Sequence, residues 1–151
     1  MILKRVNRSD PEQIYIVGYN SSADAWANGY AVRMDYTTDV DGVGMEKPAA
    51  GGAGGLGYAS VVGVAVETIA AGSYGLIQIY GYHSAVRMRA MTGATTQIAA
   101  GSAIACDAYA AYCLGPVVRT GTKANAYAKG ISFEAQASHT TATKKAFLMC
   151  M

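Results

Sequence analysis

The apolar positions of this chain recur with a period of two rather than with helical spacing. In Val61–Val66, Val62, Val64 and Val66 alternate with Val61, Gly63 and Ala65. In Leu76–Tyr82, Ile77 and Ile79 alternate with Gln78 and Tyr80. β-Branched and aromatic residues at that period predict strands buried on at least one face. The connection between them, Glu67–Gly75, holds two glycines and a serine, the chemistry of a turn. The same reading predicts strands over Gln13–Tyr19 and Tyr30–Tyr36, separated by a turn at Asn20–Asp24. A polar loop over Thr37–Gly44 leads into Met45-Glu46-Lys47-Pro48. After the central pair come Ala85–Ala90, a turn at Thr92–Thr96, and short strand candidates at Ala103–Cys106 and Tyr109–Leu114. Gly115-Pro116 reads as a turn, Val117–Arg119 and Ala126–Ala135 follow, and Lys145–Met151 is an apolar final strand. The alanines of 99–111 leave a helix over 105–113 as the one exception to an all-β chain.

Short echoes punctuate this pattern. Ile69–Ser73 and Ile98–Ser102 are both IAAGS, and Ala25-Trp26-Ala27-Asn28-Gly29 is a looser copy ahead of another apolar run. Gly63–Glu67 is echoed by Gly130–Glu134. Their unequal spacing excludes a solenoid array, and they read as one local solution, small residue plus Gly leading into a strand. Ala49–Gly57, AAGGAGGLG, is the clearest break. Five glycines in nine residues predict a loop that is flexible or closely approached by another backbone. The expected organisation is a strand-containing segment or arm over 1–48, a glycine-rich loop over 49–57, and a main β domain over 58–151. The polar stretch 1–12 is expected to be exposed.

Composition changes the picture in one respect. The chain has 151 residues, enough for a core without covalent staples. Only 15% of them are charged, against a usual quarter, and tyrosine occurs eleven times. So few charges imply a surface offered to partners, and hence an oligomer or part of an assembly. The net charge of +2 gives no argument for nucleic acid. No apolar segment reaches the ~18 residues of a membrane-spanning helix. The start MILKRVNRSDPEQ lacks the apolar centre of a signal peptide, so synthesis in a cytoplasm is expected.

Candidate chemistry is sparse. Gly52, Gly54 and Gly57 spell GxGxxG, but no strand precedes the motif, no helix follows it, and no acidic residue stands ~20 positions on. Asp35, Asp39, Asp41 and Glu46 lie near Gly42, yet the register of a calcium loop would put Thr37 at its first position and Pro48 at its last. Cys106, Cys113 and Cys150 show no ligand spacing and read as small buried hydrophobes. His83 and His139 are the two histidines, and a triad would need them to meet an acid and a nucleophile in space. No catalytic, cofactor-binding or metal residue is assigned on this basis, and no cofactor is expected. The aromatic set is more informative. Tyr74, Tyr80, Tyr82, Tyr109 and Tyr112, with Trp26, suit a core plus a protein–protein interface, or alternatively a sugar platform.

The segment Gly63-Val64-Ala65, Ile69–Gly72, Gly75 and Leu76–Gly81 resembles a pattern of capsid decoration, or cement, proteins of tailed bacteriophages. Ala100–Ile104, Gly130–Glu134, the apolar end, and the opening Asn20-Ser21-Ser22, Gly29 and Lys47-Pro48 fit the same pattern. The resemblance implies a compact β-barrel or β-tulip-like domain with an extended N-terminal segment. It implies a homo-oligomer, a trimer favoured, on the outside of the virion's head. Its partner would be the major capsid protein, held by contacts without catalysis and with no role for nucleic acid or membrane. An adhesion or carbohydrate-binding module using exposed tyrosines is the alternative, and an enzyme with a site assembled only in the fold is the third reading.

Overall fold

The computed structural model describes residues 12–37, 42–48, 61–90, 97–106, 113–116, 128–137 and 140–150. Every regular element among them is a strand: β1 Gln13–Asn20, β2 Ala31–Met34, β3 Gly44–Glu46, β4 Val61–Ala65, β5 Tyr74–Met88, β6 Ala103–Cys106, β7 Leu114–Pro116, β8 Gly130–Ser132 and β9 Ala142–Met149. They form one sheet in the order β1-β3-β2-β4-β5-β7-β6-β8-β9. Two further pairings, β1 with β5 and β5 with β9, bend that sheet back on itself twice. The result is two small rings, β1-β3-β2-β4-β5 and β5-β7-β6-β8-β9, which share the long strand β5. The first ring takes strands from both sides of residues 49–57.

Each ring closes around apolar side chains. In the first, Trp26, Val32, Met45, Ala65, Ile69 and Ile77 are buried together. In the second, Val86, Met88, Ile98, Ile104, Leu114 and Leu148 do the same. Ala31, Val61 and Val64, on the opposite faces of β2 and β4, join the second cluster and weld the rings together.

The recurring turn chemistry has one structural meaning. Tyr30 N–H donates to Ala27 O at 3.1 Å, Ser73 to Ala70 at 3.2 Å, and Ser102 to Ala99 at 3.0 Å. The third residue of each turn is a glycine in the left-handed region: Gly29 (φ 89°), Gly72 (φ 71°) and Gly101 (φ 84°). Glycine at that place is the type II signature, because side chains with a Cβ rarely adopt such a φ. The residue before each turn, Trp26, Ile69 or Ile98, is buried and makes an isolated β-bridge, and the residues after it enter a strand.

Several sequence expectations are corrected. Gly115-Pro116 is not a turn but part of β7, whose Gly115 and Pro116 lie opposite Ala105 and Ile104 of β6. Proline is tolerated at this last position of β7, beyond Leu114, the residue at which β7 pairs with β5. Gly44, expected to end the polar loop, instead opens a strand, Gly44–Glu46, held between β1 and β2. Leu76–Tyr82 and Ala85–Ala90 are not separate: β5 runs unbroken over fifteen residues. Its two ends have different partners, which a linear pattern does not show. The final strand begins at Ala142, three residues before Lys145, and stops at Met149. In the helix alternative over 105–113, Ala105 and Cys106 belong to β6; residues 107–112 lie outside the described residues, as do 1–11, 49–57 and 117–127.

Candidate functional site

Three of the sites weighed in the sequence resolve into structural roles. Asp35 is an organiser of the first ring: its carboxylate accepts from Ser21 Oγ at 2.9 Å and from Thr37 N–H and Oγ1 at 3.0 and 3.1 Å. Glu46 pairs with Arg33 at 2.8 Å across β2 and β3. Asp39 and Asp41 lie outside the described residues, as do Gly52, Gly54, Gly57, His139, Tyr109 and Tyr112. Among the described residues, no three His, Cys, Asp or Glu side chains are grouped to hold a metal ion. Cys113 and Cys150 are buried thiols. Burial pushes the Cys150 thiol up to about 11, which keeps it protonated and unreactive near neutrality.

The Asn20-Ser21-Ser22 opening is a hydrogen-bonded knot beneath Trp26. Asn20, fully buried, donates through Nδ2 to the carbonyls of Asp24 (2.9 Å) and Ile69 (3.1 Å). Its Oδ1 accepts from Ser22 N–H at 3.0 Å and Ser22 Oγ at 2.6 Å, and the Trp26 indole N–H donates to Ser22 Oγ at 3.0 Å. A buried amide satisfied on both sides fixes a loop in one conformation.

His83 is also structural in its setting. It is 5% exposed, and its Nδ1 accepts the Ala85 N–H at 3.1 Å, which fixes the tautomer. Burial holds its pKa below the ordinary 6.5, and the Ala65 carbonyl opposes this in part. Because the folded pKa is depressed, the unfolded chain binds the proton more readily. The stability contributed by neutral His83 is full above pH 6.5 and is lost as pH falls toward the folded pKa. Urea midpoints measured from pH 8 to pH 5 should therefore fall in the wild type and fall less in His83→Gln. Equal slopes would place the acid sensitivity elsewhere.

The arrangement with surface meaning is the outer face of β1 and the first half of β5. The antiparallel register sets Tyr19 opposite Tyr74, Val17 opposite Leu76 and Tyr15 opposite Gln78. The inward face carries Ile16 and Ile77, packed in the first core. The outward one leaves Val17 58%, Tyr74 67%, Leu76 42% and Tyr15 41% exposed. The Tyr19 and Tyr74 rings lie 5.1 Å apart. Further along β5 the aromatic residues are engaged: Tyr80 meets Phe147 edge-on at 5.1 Å, and Tyr82 stacks on Phe133 at 6.1 Å. Of the tyrosines singled out in the sequence, Tyr74 is thus on the open face, while Tyr80 and Tyr82 are packed against phenylalanines. Val17, Leu76 and Phe133 were missed. Period two places Tyr15, Val17 and Tyr19 on one side, but both sides of β1 are apolar, so the pattern does not say which faces out.

Beside this face lies a shallow cleft of about 180 Å³, lined by Gln13, Tyr15, Gln78, Tyr82, His83 and Ser84 among others. Both glutamine amides are already committed: Gln13 Nε2 donates to Tyr82 O at 2.7 Å, and Gln78 Nε2 to the carbonyls of Tyr80 and Tyr82 at 3.1 and 2.9 Å. Tyr15 OH donates to Gln13 Oε1. The cleft is below the ~300 Å³ at which small-molecule sites usually begin. No protein-family model and no curated protein matches this chain.

Proposed function

We propose that this is a virion structural protein that binds the outside of an assembled phage head and stabilises the capsid through protein–protein contacts. The observation that carries the reading is the β1/β5 outer face, where Tyr15, Val17, Tyr74 and Leu76 stand open on a rigid, doubly closed scaffold. A chain with 15% charged residues and an exposed tyrosine-and-aliphatic strip has the composition of an interface centre. The motifs that resemble decoration proteins, Gly63–Ala65 and Ile69–Gly81, build β4, the turn and the part of β5 that displays this strip. A ligand of the assembled shell alone stabilises it by mass action and requires no catalytic group. A trimer on the shell, contacting the major capsid protein, is the arrangement proposed.

Co-sedimentation with assembled shells, and with unassembled capsid protein, tests the reading. The wild type should bind the shells and not the free subunit. The double variant Leu76→Lys with Tyr74→Thr should lose about 30-fold or more in affinity, the cost of ~2 kcal/mol at an interface anchor, without a change in Tm. Absence of wild-type binding overturns the function. A large fall in Tm makes the face structural instead. On the sugar-binding alternative the exposed tyrosines would be the platform, and saturable glycan binding lost in Tyr15→Ala would favour it.

A further inference from the structure

The two rings correspond residue by residue. A shift of 72 positions carries Trp26, Gly29, Ala31 and Val32 onto Ile98, Gly101, Ala103 and Ile104. A shift of 67 carries Gly63, Val64, Glu67 and Ile69 onto Gly130, Ile131, Glu134 and Gln136. Under these shifts the bridge Trp26–Ile69 becomes the bridge Ile98–Gln136. The pairs Ala31–Val64 and Val32–Gly63 become Ala103–Ile131 and Ile104–Gly130. Gly29 N–H to Ala65 O (2.8 Å) becomes Gly101 N–H to Ser132 O (2.7 Å).

The remaining strands follow with shifts of 68 and 69. Val64–Gln78 and Ala65–Ile77 become Ile131–Phe147 and Ser132–Ala146. Met34–Met45 becomes Cys106–Leu114, and Tyr19–Tyr74 becomes Arg87–Thr143. Ser21 N–H to Met45 O and Arg89 N–H to Leu114 O are both 3.0 Å. Side-chain chemistry is kept too: Glu67 accepts the Leu76 N–H at 3.1 Å, and Glu134 accepts the Lys145 N–H at 3.0 Å. Sheet geometry demands none of this. It does not require a glutamate at the same step of both rings, nor glycine in both turns, nor a shared register in each of the five pairings, which the copies keep except along β5–β9 beyond the bulge between His83 and Val86.

We infer that the chain is two copies of one five-strand unit, β1 to the first half of β5 and the second half of β5 to β9, fused in tandem at Gly81 and joined by the shared core of Ala31, Val61 and Val64. Tyr80 and Gly81 are the residues of β5 that pair with both flanking strands, Ile14 and Gln13 of β1 and Met149 and Leu148 of β9. Gly81 has φ 99°, and a Cβ there would fall 1.9 Å from Glu12 O. A strand of one ring ends there and a strand of the next begins. The copies also reveal what the fold does not require. The outward Tyr19, Tyr74 and Leu76 of the first unit correspond to Arg87, Thr143 and Lys145 of the second. At these three positions the second unit folds with polar or charged residues in place of the tyrosines and the leucine. On the decoration reading, on which this last step rests, the first unit has been specialised for contact and the second has not.

The test is a short Gly-Ser linker inserted in the full chain between Tyr80 and Gly81, compared with the same linker between Ile77 and Gln78 and between Val86 and Arg87. Lengthening a connection between two closed units costs little entropy. The junction insertion should keep the far-UV spectrum and a cooperative melt. Either mid-strand insertion should abolish the melt by breaking a ring. Three insertions that behave alike overturn the inference, whether all fold or all unfold. This outcome is independent of shell binding, and the Tm of Leu76→Lys/Tyr74→Thr separately reads whether the second unit's residues are tolerated in the first.

Discussion

Replacing Trp26 with alanine is expected to lower the unfolding free energy by about 3–5 kcal/mol. The indole is fully buried, at the centre of the first core with Val32, Met45, Ile69 and Ile77. Its removal leaves a cavity that rigid strands on every side cannot close. It also takes the donor from Ser22 Oγ, the link between the core and the Asn20 knot. Since that knot fixes the approach of Ile69, the bridge Trp26–Ile69 should loosen as well. Urea unfolding followed by far-UV circular dichroism measures the effect, because Trp26 is the chain's one tryptophan and its own fluorescence disappears in the variant. A loss below about 1 kcal/mol would contradict a ring packed around this side chain.

Gly29→Ala should cost about 2–5 kcal/mol, whereas Gly101→Ala in the equivalent turn should cost about 1–2 kcal/mol. Both glycines sit in the left-handed region, at φ 89° and 84°, so both variants carry the same backbone strain. The surroundings differ. A Cβ on Gly101 meets nothing within 4 Å, while one on Gly29 would stand 1.9 Å from the Ala85 carbonyl oxygen. That contact is with backbone of β5, and relieving it must stretch the Arg87 N–H to Gly29 O bond of 2.9 Å. The difference between the two midpoints isolates the close approach of turn to strand. Equal losses would show that the turn is free to move away from β5.

The Gly29 contrast also shows where sequence reasoning reaches its limit. The turn itself is legible, because Ala-x-Gly before an apolar run encodes a type II turn through a steric rule that acts within four residues. What presses on that turn belongs to a residue more than fifty positions away, and no local pattern encodes it. The exposed β1/β5 face behaves alike. Alternation in Gln13–Tyr19 separates Tyr15 and Val17 from Ile16, but the choice of the inward side depends on β5 closing over β1.

Local chemistry alone therefore determined the all-β class, the strands at Gln13–Asn20, Ala31–Met34, Val61–Ala65 and Ala103–Cys106, and the repeated turn, since period two and positive φ are properties of adjacent residues. The tertiary structure decided the rest. It made strands of Gly44–Glu46 and Leu114–Pro116, which have little propensity and exist because partners on both sides satisfy their backbone. It joined two apolar runs into one fifteen-residue β5, buried Asn20 and His83, and left Tyr74 and Leu76 in solvent. It also arranged the scattered echoes into two matching rings. Each of those outcomes is a pairing between segments far apart in the chain, and hydrogen bonds across a sheet leave no mark in the sequence of either strand alone.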